Sequence, residues 1–277
     1  KETINRVQHA IQDEIRVRPW NLKTSSDLSI QYEEKRQALL ADPEVVSALE
    51  ENAALPPICE AEGSVYKLVL KPDHDPSKLH GKQWTQPHSE KKFLMDWKDE
   101  MLSTGRISIH SNGLPKGNMI LFTVKKMVNG INDPTQRREV IDPGLLNEAT
   151  LCDGRGIIPS CRETIAVFAG KSIFGSVDLK QAFHQFRIDE ASKDYFCFIL
   201  DGVTYNYNVM PQGIKLAAEH CHKFVSSVIA HIPNARNFAD NIIFGDNNWE
   251  EHRSTLLKVL SALNRVGLQI KIEAVNV

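Results

Sequence analysis

An α+β fold is the class this sequence predicts, and three observations carry the prediction. Short apolar runs bounded by turn residues are interleaved with amphipathic stretches, but without the strand–helix–strand rhythm of a parallel α/β sheet. Two of the runs are joined by turn chemistry, Asn129-Gly130 and then Asn132-Asp133-Pro134, which calls for an antiparallel return. The composition, 42% hydrophobic and 25% charged over 277 residues, is that of a globular chain with one large or two small domains.

Taken in order, residues 1–17 place Ile4, Val7, Ile11 and Ile15 at helical spacing. Asp42-Pro43-Glu44 is a helix start, with Asp as N-cap and Pro at the first position. That helix carries Val45, Val46 and Leu49 and ends before Leu55-Pro56-Pro57. Residues 64–71 alternate as a strand. Ser89 is placed to cap a helix with Phe93, Leu94, Trp97 and Met101 on its apolar face, and Gly105 to end it in a left-handed conformation. Strands are predicted at 119–124, 139–142, 174–179 and from Thr204 to Val209. Residues 217–229 form a helix, 238–244 bracket a hairpin, and 249–266 form a long helix with Leu256, Leu257, Leu260 and Leu263 on one side. No internal repeat or low-complexity segment breaks this pattern.

The net charge of −2 argues against a surface dominated by phosphate binding, while leaving room for local basic patches. Five scattered cysteines without a Cys-x-x-Cys pair read as free thiols of a reducing compartment. There is no apolar run of the ~18 residues a membrane span requires and no charged-then-apolar signal segment. The expected setting is intracellular, in a cytoplasmic particle or the nucleus, with no membrane partner. The first residue is Lys1, which reads as a piece of something longer.

Two carboxylates sit where strands end. Asp178 closes the run Ser176-Val177-Asp178, and Asp240 follows Phe238-Ala239 between two apolar runs. Alone, each reads as a turn-forming residue. Side by side they would share cations, since Mg²⁺ prefers carboxylate oxygens and two ions about 3.5–4 Å apart clamp the oxygens of a phosphoryl transfer. His220-Cys221-His222 is not a comparable metal motif, because neighbours one and two apart do not share a helix face.

Residues 173–188, I-F-G-S-V-D-L-K-Q-A-F-H-Q-F-R-I, resemble the first catalytic block of gypsy-type LTR-retrotransposon reverse transcriptases, F-x-x-L-D-L-x-x-G-Y-H-Q-I-x-I. Val209-Met210-Pro211-Gln212-Gly213 is similar to their V-M-P-F-G block, and Asn237-Phe238-Ala239-Asp240-Asn241 to the turn carrying Tyr-x-Asp-Asp. Residues 121–126, 138–150, 158–165 and 242–268 resemble further blocks of the same enzymes in the same order. The resemblance covers residues 64–277 and implies fingers and palm of a right-hand polymerase, with an antiparallel palm sheet backed by helices. Residues 1–63 would then be a helical extension, and the thumb, connection and RNase H regions would lie beyond Val277.

It also implies roles. Asp178 and Asp240 would hold two Mg²⁺ (or Mn²⁺) ions, with the backbone carbonyl of Leu179 and with Asn241 in the place of a second turn carboxylate. Phe183 would sit under the incoming sugar, where an aromatic ring leaves no room for a 2′-hydroxyl; the lesser alternative is a core aromatic. Lys126 and Arg138 would grip the triphosphate; each alone reads as a surface cation. Gln212 and Gly213 would lie beside the nucleotide, Gly213 giving the backbone freedom. The implied partners are an RNA or DNA template-primer, dNTP and, in oligomeric form, other Pol parts. The sequence departs from the family at Asn241, Pro143, Gly144, Leu216, Ala218, Ala274 and Val275. The expected function is RNA-directed DNA polymerisation attenuated by Asn241. The alternative is an inactive relative that serves as a nucleic-acid-binding or protein-assembly scaffold.

Overall fold

A computed structural model describes residues 26–83, 85–111, 113–128, 131–152 and 158–277; side chains at 26–30, 89, 126–128 and 131–136 are outside the description. The helix expected over 1–17 and the Asn129-Gly130 turn therefore lie outside the described residues. In chain order the elements are α1 (Ser26–Leu40), α2 (Pro43–Ala53), α3 (His88–Ser103), β1 (Ile107–Ile109), β2 (Asn118–Val128), β3 (Ile131–Asp142), α4 (Gly144–Ala149) and α5 (Cys161–Ala166). They continue with β4 (Ile173–Asp178), α6 (Glu190–Lys193), β5 (Cys197–Leu200), β6 (Val203–Tyr207), α7 (Ala217–Ile229), β7 (Ala235–Phe238), β8 (Asn241–Asp246) and α8 (Trp249–Val266). Short 3₁₀ turns occur at Pro76–Leu79, Ala182–Gln185 and Ile272–Ala274.

Two sheets organise the chain. One is five-stranded in the order β1-β6-β5-β2-β3, antiparallel except where β2 runs parallel to β5. The other is the antiparallel trio β4-β8-β7. Helices α7 and α8 pack on the trio through Cys221, Phe224, Val225 and Val228 on α7, and Leu256, Val259, Leu260 and Leu263 on α8; Leu257, expected on that face, is only half-buried, and Val259 is buried instead. These join Val177, Ile242 and Phe244 of the strands in one core. Because β4 and β8 alternate, the face opposite the helices carries Asp178, Ser176 and Phe174 on β4, with Asn241 across from Asp178.

The N-terminal part is knitted to α8. Asp42 caps α2 by accepting from the N–H groups of Glu44 (3.0 Å) and Val45 (3.3 Å), as its sequence implied. The same carboxylate takes the Arg253 guanidinium, Nε at 2.8 Å and Nη2 at 2.9 Å. Asn52, fully buried, donates to Asn264 Oδ1 and the Leu268 carbonyl, and accepts from Ile270 N–H at 2.8 Å. A polar group with no exposure is tolerated only when satisfied in this way.

Three expectations need correcting. Residues 64–71 are extended but form no ladder: Tyr66 bridges Ile188, Leu70 bridges Thr150, and Leu68 N–H donates to Ser192 Oγ. The segment is held by isolated contacts to the 187–192 and 149–151 stretches rather than by a continuous ladder. Asn132-Asp133-Pro134 do not turn. The return occurs earlier, since Val128 pairs with Ile131, and these residues lie inside β3 beside a register shift between Lys125 and Met127. Ser89 is not the cap of α3, which begins at His88 after Pro87. The other end was legible: Gly105 has φ +70, and the N–H groups of Gly105 and Arg106 bond to the carbonyls of Leu102 and Met101.

Candidate active site

The trio of strands brings the two sequence-predicted carboxylates to one end. Asp178, the last residue of β4, lies directly opposite Asn241, the first residue of β8. Asp240 precedes Asn241 in a two-residue turn, because Phe238 pairs with Asn241. Leu179, with its side chain buried, donates its N–H to the Asp240 carbonyl at 3.3 Å and so ties strand end to turn. Asp178, Leu179, Asp240 and Asn241 are thus neighbours, as expected.

The turn is held under strain from behind. Ala239 has φ +52, a left-handed conformation that costs a non-glycine residue about 1–3 kcal/mol. Asn237 opposes that cost: Nδ2 donates to the carbonyls of Ala239 (3.2 Å) and His222 (3.1 Å), while Oδ1 accepts from Ser226 Oγ at 2.7 Å. Helix α7 thereby fixes the turn from the core side. His222 belongs to this support, whereas His220 points elsewhere, bonding the Ser64 carbonyl and packing edge-on to Tyr66 and Phe186.

Electrostatically the site is short of positive charge. Burial pushes the Asp178 carboxyl up to about 6; the Asp240 charge pushes the same way, while Lys271 and the Leu179 N–H pull it down. Asp240 is raised as well, chiefly by burial. Two half-buried carboxylates that repel one another are relieved by a bound cation. Two carboxylates and a carboxamide oxygen are hard donors that suit a hard divalent ion, so the residues fit Mg²⁺ or Mn²⁺, with two negative charges in the set rather than three. Among the described residues no three His, Cys, Asp or Glu side chains group as a metal site.

The residues expected at the nucleotide divide. Arg138, Gln212 and Gly213 line one cleft of about 400 Å³, together with Phe122, Glu139 and Asp142. Gly213 has φ +89, which only glycine adopts without strain. Phe183 does not line this cleft; it is half-buried in the 3₁₀ turn and packs on the core. The Lys126 side chain lies outside the described residues. Sequence reasoning missed Asn237, Lys271 and His184. His184 and Asn237 each lay inside a block the sequence singled out, 173–188 and 237–241, without a role assigned to it; Lys271 had no local signal.

Residues 124–274, just over half the chain, match the family described as "Reverse transcriptase (RNA-dependent DNA polymerase)". The chain belongs to that family. Among curated relatives of this reverse transcriptase family chain, the "Retrovirus-related Pol polyprotein from transposon 297" of Drosophila melanogaster is 26% identical over 75% of the chain and 19% of its own length. The "Enzymatic polyprotein" of Figwort mosaic virus (strain DxS) is 25% identical over 51% of the chain and 21% of its own length. The chain therefore spans about a fifth of these two relatives. Among solved structures, the foamy viral protease-reverse transcriptase in complex with ds DNA aligns with a TM-score of 0.65 at 17% identity, covering 89% of this chain and 44% of that one. A mutant of the prototype foamy virus protein gives 0.68 at 18% identity, over 89% and 33%. The architecture is that of reverse transcriptase fingers and palm, and the β4-β8-β7 trio is the palm sheet.

Proposed function

We propose that this domain is an RNA-directed DNA polymerase that adds dNTP to a primer 3′-hydroxyl, with a rate attenuated by Asn241. The observation that carries the reading is the placement of Asp178 opposite Asn241 and beside Asp240 at one end of the palm sheet. Asp178 and Asp240, with the Leu179 carbonyl, would hold two Mg²⁺ or Mn²⁺ ions. When bound, these ions supply charge stabilisation to the attacking and leaving oxygens. The chain's own residues do the rest. The raised carboxyls favour capture of cations, Asn237 fixes the turn, Arg138 and Lys126 grip the triphosphate oxygens, Gln212 and Gly213 lie beside the sugar, and Phe183 is assigned under it. The partners are an RNA or DNA template-primer and dNTP, with other Pol parts in the assembled protein. Residues 64–277 are the polymerase part and 1–63 an extension, in a diverged gypsy-type element acting in a cytoplasmic particle or the nucleus.

Primer extension by the full-length polyprotein in Mg²⁺ or Mn²⁺, compared with Asp178→Asn, tests this. The variant should lose the activity; equal extension by both would defeat the reading. Asn241 favours a second reading, a catalytically silent palm kept as a nucleic-acid scaffold. Salt-dependent binding of a primer–template would then survive Asp178→Asn, while no extension occurs in either protein.

A further inference from the structure

The C-terminal stretch after α8 returns along the free edge of β4. Leu179 bridges Ile270 in antiparallel sense, with Lys271 N–H donating to the Asp178 carbonyl at 2.8 Å and Lys180 N–H to the Gln269 carbonyl at 3.0 Å. Asp178 and Lys271 are therefore cross-strand neighbours, a relation that puts Cβ atoms about 4.5–5.5 Å apart on one face of the sheet. Asp178 thus has Asn241 across from it on the β8 side and Lys271 across from it on the other. Lys271 is exposed, and its charge is felt at Asp178, where burial and Asp240 act in the opposite sense.

We propose that Lys271 is an internal competitor for the divalent cations of the Asp178–Asp240 pair. A Lys ammonium beside an aspartate offers the same electrostatic relief as a metal ion, so a cation entering the site must displace it or bear its repulsion. With Asn241 neutral, the donors carry two negative charges and Lys271 cancels one. The site is held in a low-affinity state by a residue that does not line the nucleotide cleft. Lys271 is a positioning residue, acting through Asp178. The inference rests on the proposed cation site and adds to it a determinant of affinity.

Mn²⁺ titration of the 277-residue chain, followed by the electron paramagnetic resonance of free Mn²⁺, tests this without reference to activity. Lys271→Gln should bind Mn²⁺ about three- to tenfold more tightly at low ionic strength, the gain shrinking as salt is added. Lys271→Arg, which keeps the charge, should bind as the wild type does. Unchanged or weaker binding by Lys271→Gln, or an equal gain in Lys271→Arg, overturns the inference. Asn241→Asp separates it from the reading beneath it. If that variant gains affinity and Lys271→Gln does not, the cation site stands and the competitor falls. If none of the proteins, Asn241→Asp included, binds Mn²⁺, both fall.

Discussion

At position 241 a carboxamide faces Asp178 across the palm sheet, and single side chains around it set what the site is able to do. Restoring charge should matter more than restoring shape. Asn241→Asp is expected to raise primer extension at limiting Mg²⁺ by about tenfold or more, each 1.4 kcal/mol of transition-state stabilisation being worth about a factor of ten; steady-state extension at graded Mg²⁺ measures it. Behind the turn, Asn237 is buried and serves two carbonyls and a hydroxyl. Asn237→Ala removes these three hydrogen bonds and releases the strained Ala239 turn, so it should cost about 1–3 kcal/mol in urea unfolding and depress activity beyond that loss. The carboxylates were legible in the sequence through the blocks that surround them, since each alone reads as a turn-forming residue. Asn237 and Lys271 were not, since their importance comes from partners on other elements.

At the scale of elements, the sequence was most informative where a pattern is completed locally. Helices α7 and α8 begin and end where their apolar period does, and the β7–β8 hairpin is visible as two runs around a short polar turn. Residues 64–71 show the opposite case. Their alternation predicted a strand, but Tyr66 and Leu68 pair with the 187–192 stretch and Leu70 with Thr150, which no local pattern records. Asn132-Asp133-Pro134 carry turn residues, yet the chain has already reversed before them. The close packing of β4 against β8 makes a further prediction. A Cβ added at Gly175 would lie 2.4 Å from the Phe244 ring and 3.0 Å from the Asn276 carbonyl. Gly175→Ala must therefore displace core ring or backbone, and should cost about 1–3 kcal/mol by denaturant unfolding, with the Asp178 end of β4 shifted and extension reduced.

For the whole molecule, fingers and palm were legible because several blocks occur in family order, and the two-sheet arrangement that joins them emerges only from long-range pairing. Acid sensitivity also belongs to this scale. His184 is buried, and that burial, reinforced by the Arg106 charge, lowers its pKa to about 4. The unfolded chain takes up that proton first, near 6.5, so the folded state loses stability as pH falls from there towards 4. The raised carboxyls of Asp178, Asp240 and Glu139 act in the reverse direction, gaining stability as they are protonated, so the His184 contribution is isolated as a difference between proteins. Between pH 7 and roughly pH 5, wild type should lose about 2 kcal/mol relative to His184→Phe, measured by urea unfolding at each pH. Whether the palm holds divalent cations on Asp178 and Asp240 is decided by Mn²⁺ soaked into crystals of the chain. An anomalous peak is expected between the two carboxylates and is lost in Asp178→Asn; a well-ordered site with no peak at saturating Mn²⁺ rules the cation site out.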